Sequence, residues 1–161
     1  MLEQDYLMRQ LLQFFKAMVR SNELNWKDED PQGAADALED AISNATEMDG
    51  VALLSLSPDS IASIMRVTGI DPNITQFVAR SMLLESVYLR TAGKNALAQV
   101  REDQARAIAD EYGFGLPDDP SDFKSITEGL EEAALAGSFD AAGIDDPLAG
   151  LEAYFAEKRI D

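Results

Sequence analysis

Two charged side chains fall where a helical wheel calls for apolar ones, and they are the residues of this chain best placed to do chemistry. With residues set at about 100° per step, the segment from Pro72 to Thr91 carries one continuous apolar arc of Leu84, Phe77, Tyr88, Ile74, Val78, Leu89 and Met82, and Glu85 falls inside it with Ser81. In the segment from Asn95 to Tyr112 the arc is defined by Leu97, Ile108 and Tyr112, and Arg101 falls between the last two. Gly93 separates the segments, and Glu85 and Arg101 stand equally far from it in sequence. An antiparallel hairpin turned at Gly93 therefore sets the two side chains level with each other. Three arrangements follow. Glu85 and Arg101 satisfy each other in or at the rim of the core and fix helix register, because buried charges must be paired. Alternatively, Glu85 lies on a wide solvated face. In the third arrangement Ser81, Glu85 and Arg101 present polar groups among Phe77, Tyr88 and Tyr112, the make-up of a small-molecule or catalytic site.

Little else in the chain offers reactive groups. There is no Cys and no His, which removes disulfides, thiolate nucleophiles, the commonest general base and the commonest zinc ligand. No cofactor or metal is expected. Asp28-Glu29-Asp30, and Asp118-Asp119 with Asp122, carry oxygen ligands but lack the alternating acidic spacing and central glycine of a calcium loop, so they read as loops or helix caps. Gly113-Phe114-Gly115-Leu116-Pro117 has no Lys-Ser/Thr sequel and no preceding strand, which makes it a turn and not a phosphate-binding loop. Trp26 is read as an anchor folded onto the core from a polar linker, with an exposed interface position as the alternative.

The elements that must position these residues read as helices throughout. Leu7, Met8, Leu11, Leu12, Phe14, Phe15, Met18 and Val19 occupy one face at helical spacing, opposite Arg9, Gln13, Lys16 and Arg20. Asp30-Pro31, Asp71-Pro72, Asp119-Pro120 and Asp146-Pro147 each place a capping aspartate before a proline suited to a first helical turn, and Ser57-Pro58 is a variant. Glycines at 50, 69, 93, 113 and 137 mark helix ends. The expected elements are seven helices near Glu3 to Arg20, Gln32 to Glu47, Pro58 to Val67, Pro72 to Thr91, Asn95 to Tyr112, Ser121 to Ala136 and Pro147 to Lys158, with residues 21–29 as a linker. Leu53-Leu54-Ser55-Leu56 is either a short helical turn or an extended segment. The Asp-Pro steps are unevenly spaced, so no strict repeat is present.

With 161 residues and 46% hydrophobic content, the chain suits one domain, 1–161, around one core. Asp and Glu total 30 against 13 Lys and Arg, a formal net charge of -17, spread over both halves: 6 basic and 13 acidic residues up to Arg80, 7 and 17 beyond it. Clustered cations are missing, so direct nucleic-acid binding is not expected. The acidity fits a solubilising surface, a basic protein or peptide partner, or a mimic of nucleic acid. No long apolar run or basic leader is seen at Met1-Leu2-Glu3-Gln4-Asp5, which leads to an expectation of a cytoplasmic protein without a membrane segment. Leu148, Leu151, Tyr154 and Phe155 form a further apolar stripe, which either docks on the core or serves as a homodimer or partner surface.

Two stretches resemble known families. Gln4-Asp5-Tyr6-Leu7-Met8-Arg9-Gln10-Leu11 resembles the start of a family of small, uncharacterised bacterial helical proteins, which implies a bacterial source and no particular activity. Glu85 to Leu97, followed by Ala105, Ala107 and Ala109, is similar to one tetratricopeptide-type helical hairpin without the full set of spaced positions. That similarity implies stacked antiparallel hairpins and a non-enzymatic protein-interaction scaffold. The expectation is therefore an all-α, tetratricopeptide-like protein, with a ligand-binding or catalytic domain built on Glu85 and Arg101 as the alternative.

Overall fold

A computed structural model describes residues 2–127, with side chains from Arg9 onward. Among the described residues all regular structure is helical. Its elements are α1 (Leu2–Trp26), α2 (Pro31–Thr46), α3 (Gly50–Leu54), α4 (Pro58–Val67), α5 (Pro72–Thr91) and α6 (Asn95–Tyr112), after which residues 123–127 are again helical. The expected helix from Pro147 to Lys158, with Leu148, Leu151, Tyr154 and Phe155, lies outside the described residues.

Local chemistry sets most of the boundaries. Asp30 and Asp71 accept from the backbone N–H of Gly33 and Asn73 at 2.9 and 2.8 Å, and Ser57 accepts from Ser60 at 3.3 Å, each with proline in the first turn. These bonds satisfy N–H groups that the helix itself leaves without partners. Gly93 turns the α5–α6 hairpin with φ +84°, a left-handed conformation in which a Cβ would be strained.

Four expectations need correction. The linker at 21–29 is mostly helix, because α1 continues to Trp26: Ser21 donates to Met18 O at 2.8 Å and meets Tyr88 Oη at 3.1 Å, which seals a polar position into the core and carries the helix onward. Trp26, at the end of that extension, is 71% exposed and anchors nothing. Gly50 does not end α2. Glu47 takes the left-handed position there, while Gly50 opens α3, where a Cβ would lie 3.1 Å from the Cβ of Ser43; the glycine permits close approach to α2. The helix expected from Ser121 starts later, since Asp119 caps a turn at Ser121 and Asp122 accepts from Ser125 N at 3.2 Å. Leu53 and Leu54, left open between helix and strand, are helical, and both are buried.

Two antiparallel hairpins, α1–α2 and α5–α6, pack together chiefly through α2 and α5, while α1 also touches α5 and α4 packs on α6. The core runs between them. Leu11, Phe14, Phe15 and Met18 of α1, Leu38 and Ile42 of α2, Ile61 and Met65 of α4, and Ile108 of α6 are all buried in it. Small residues at the contacts, Ala34, Ala35, Ala79, Ala98 and Ala105, are buried and let the helices approach closely. In α5, 13 of 20 residues are buried, so the single apolar arc seen on the wheel understates it: Ala79, Leu83 and Ser86 outside the arc are buried as well. In α6 the buried face is Ala98, Arg101, Gln104, Ala105, Ile108 and Ala109, and Leu97 is exposed. Arg80 fastens the last described residues to α5 by donating to Ser125 O and Ile126 O at 2.8 and 2.9 Å.

Burial of this kind carries a definite expectation. Leu83→Ala, in the middle of α5, should lower stability by about 3 kcal/mol through lost transfer energy and an unfilled cavity, whereas Val67→Ala on the exposed end of α4 should change it by less than about 0.5 kcal/mol. Urea unfolding of the two variants measures the difference.

Candidate functional site

The register of the α5–α6 hairpin follows from its turn at Gly93 and is seen again in Arg90, which donates to Gln99 at 3.2 Å and to Glu102 at 2.8 Å. One and a half turns deeper, Arg101 Nε donates to Glu85 Oε2 at 3.1 Å. Glu85 has no exposed surface, and the Arg101 side chain retains 7%. The same guanidinium extends to three further groups. Its Nη1 donates to Leu54 O at 2.8 Å and to Gln104 Oε1 at 3.1 Å, and Nη2 lies 3.5 Å from Glu39 Oε2. Gln104 then donates from Nε2 to Leu54 O and Leu56 O, at 2.9 and 2.7 Å.

The result is a polar hub in which one cation ties α2, α5 and α6 to the α3–α4 connection. Arginine suits the position because its planar fork of donors serves several acceptors at once and stays charged when desolvated. Ser81 is also fully buried, and its Oγ has no hydrogen-bond partner, so no side-chain hydrogen bond joins it to Arg101 or Glu85. Tyr112, named with Phe77 and Tyr88 as a pocket wall, instead packs beside Phe114 with ring centroids 6.3 Å apart. Tyr88 is sealed in the core, and burial raises its phenol well above the usual range, opposed by the hydrogen bond with Ser21.

Burial also governs Glu85. Desolvation first, then the hydrogen-bonding and charge of Glu39, hold its carboxyl well above the ordinary carboxylate range, and Arg101 opposes them. A carboxyl so enclosed, with no cleft opening on it, is suited to holding elements together and poorly suited to meeting a substrate.

The acidic loops have local roles. Asp119 accepts from the N–H and hydroxyl of Ser121 at 2.9 and 2.7 Å, and Asp122 from those of Ser125 at 3.2 and 2.6 Å; these bonds hold both carboxyls below their ordinary values. Among the described residues no group of three acidic side chains gathers to hold a metal ion. No helix of the described residues is long and apolar enough to cross a membrane.

An open cleft lies elsewhere, between α1 and α2, with a volume of about 230 Å³. Phe14, Ala17, Ala37, Ala41 and Ala45 form its apolar floor, and Gln10, Gln13, Asp40 and Asn44 its polar rim. The alanines create it, because two helix faces of small residues leave a furrow where larger side chains would interdigitate. Sequence reasoning missed the furrow, which needs α1 beside α2. It also missed Glu39 and Gln104. Gln104 shares a helix face with Arg101, being three residues on, and Glu39 adjoins the buried Leu38; those placements were the available signals.

Comparison with family models, with curated proteins and with solved structures finds no match.

The hub can be tested as a unit. Arg101→Ala should cost about 3 kcal/mol, because it removes a donor to Leu54 O and leaves two acids without their cation. Gln104→Ala should cost about 1 to 3 kcal/mol by leaving the carbonyl of Leu56 without its donor. In a double-mutant cycle measured by urea unfolding, Arg101→Ala with Glu85→Ala should lose about 1 to 2 kcal/mol less than the sum of the single losses. Strict additivity would show that the pair contributes nothing.

Proposed function

We propose that this chain is a non-enzymatic protein-interaction module of the bacterial cytoplasm, tetratricopeptide-like in its use of helical hairpins, and that it receives a basic peptide or protein segment along α1 and α2. The observation that carries this reading is the separation of the two polar features. The groups with chemical potential, Glu85, Arg101 and Gln104, are enclosed in the core, while the open concavity is an apolar furrow with an amide and carboxylate rim. A furrow of that make-up suits apolar side chains of a docked segment, with rim groups bonding its flanks.

Charge indicates the partner's sign. Residues 28–65, which contain all of α2, carry nine acidic residues and no Lys or Arg. Asp40 stands on the rim itself, Asp36 is exposed on the same helix, and Glu47 is exposed just past its end. Such a surface attracts cationic segments from a distance and repels nucleic acid. The alternative of a small-molecule or catalytic site at Glu85 and Arg101 has no opening among the described residues to support it.

Affinity capture from bacterial extract, repeated at rising salt, tests the reading. A basic partner should be retained at low ionic strength and released as salt rises, since its attraction is screened. Ala41→Arg, which fills the furrow and offsets the charge of Asp40, should weaken retention by tenfold or more while leaving the urea midpoint unchanged. Retention equal to that of the parent protein would refute docking along α1 and α2.

A further inference from the structure

The buried hub carries an arrangement of charge that ordinary ionisation leaves unbalanced. Glu39 and Glu85 both approach one guanidinium, at 3.5 Å from Nη2 and 3.1 Å from Nε of Arg101. With both acids ionised, the cluster would hold a net negative charge around a carboxylate that has no exposed surface. Oε1 of Glu85, moreover, is buried and receives no hydrogen bond. An ionised carboxylate only accepts, so the neighbouring Glu39 can relieve that oxygen only when one of the two acids is protonated.

We propose that Glu39, Glu85 and Arg101 form a proton lock, in which the two carboxyls share one proton while the core is closed, and whose release drives Glu39 into water and unties α2 from α6. Protonated Glu85 donates from Oε1 to Glu39, which satisfies the orphan oxygen and leaves one carboxylate opposite one guanidinium. Which acid leaves is decided by access. The Glu39 side chain is 26% exposed, whereas Glu85 has no path to solvent. When the proton is lost, Arg101 keeps Glu85 and the Leu54 carbonyl, and the contact across to α2 breaks.

The surroundings leave these groups in charge of the event. From α2 the group facing Glu85 is Glu39; from α6 it is Arg101, with neutral Gln104 behind it. From α1 comes Ser21, which meets Tyr88, and the α3–α4 connection contributes the carbonyls of Leu54 and Leu56. Of the other charged residues on α5, Arg90 is engaged with Glu102 and Arg80 with the carbonyls of Ser125 and Ile126.

The sign of the pH effect is fixed by the direction in which Glu85 is displaced. Its carboxyl is raised well above the ordinary value of 4.5, so the folded protein keeps a proton that the unfolded chain releases. The resulting stabilisation is full below about pH 4.5 and is lost as pH rises through the folded-state value.

The experiment is a carbon-13 NMR titration of the glutamate carboxyls of the full chain, with urea unfolding across the same pH range, for the parent protein, Glu85→Gln and Glu39→Gln. Glutamine at position 85 copies the shape and donor capacity of the neutral acid, so that variant should fold. Relative to it, the folding equilibrium of the parent should fall by up to about tenfold per pH unit above pH 4.5 until the lock opens. A carboxyl resonance missing from Glu85→Gln should titrate well above the ordinary range. In Glu39→Gln the Glu85 midpoint should fall by about one pH unit or more, since its acidic neighbour is gone. An ordinary midpoint for Glu85, a parent-to-variant stability ratio that does not change with pH, or a midpoint unmoved in Glu39→Gln would each overturn the proposal. The last of these readings does not depend on how well Glu85→Gln folds.

Discussion

The buried guanidinium of Arg101 is the constraint around which the rest of the molecule is arranged. Removing a cation from water is unfavourable by several kcal/mol, and the loss is offset only when carboxylates and carbonyls are brought to it with good geometry. Here those acceptors arrive from separate parts of the chain: Glu39 from α2, Leu54 from the end of α3, Glu85 from α5 and Gln104 from α6 itself. None of them is a neighbour of Arg101 by helix geometry except Gln104. The donors of Arg101 find these acceptors only in the assembled fold, so the hub discriminates between this helix arrangement and a merely collapsed one.

Apolar packing supplies the driving force that the hub directs. The center of the core is α5, whose sides are covered by α1, α2 and α6. Close approach depends on alanines at the contacts, and Ser21 and Tyr88 join α1 to α5 by a hydrogen bond inside the same core. An apolar helix covered on most sides has little preference for its own rotation, because several faces could serve equally well. Glu85 removes that freedom. Only one rotation of α5 brings its carboxyl to Arg101, so an interaction of modest net strength selects among packings of similar burial.

The surface obeys a different logic from the core. Many of its aspartates act locally, as caps for the backbone N–H groups of α2, α3 and α5 and of the turns near Ser121 and Ser125. Others, such as Asp36 and Asp40, face water and set the sign of the field along α2. The furrow between α1 and α2 joins the two themes, since small residues that allow close helix packing also leave an apolar floor beneath an acidic rim.

What the sequence determined by itself was everything that a helical turn can enforce. Aspartate before proline starts α2 and α5, Gly93 turns α5 into α6, and equal distances from that glycine place Glu85 opposite Arg101. Those relations depend on neighbours in sequence, which is why periodicity and capping rules reached them. Tertiary structure decided the rest. Ser21 reads as the start of a linker until Tyr88 is beside it, Gly50 reads as a stop until Ser43 shows the space it must leave, and Trp26 reads as an anchor until α1 carries it into solvent. Nothing in the periodicity of α2 singles out Glu39. Its place in the hub is fixed by how α2 crosses α5 and α6, and a helix carries no record in its own sequence of which distant charge it will be packed against.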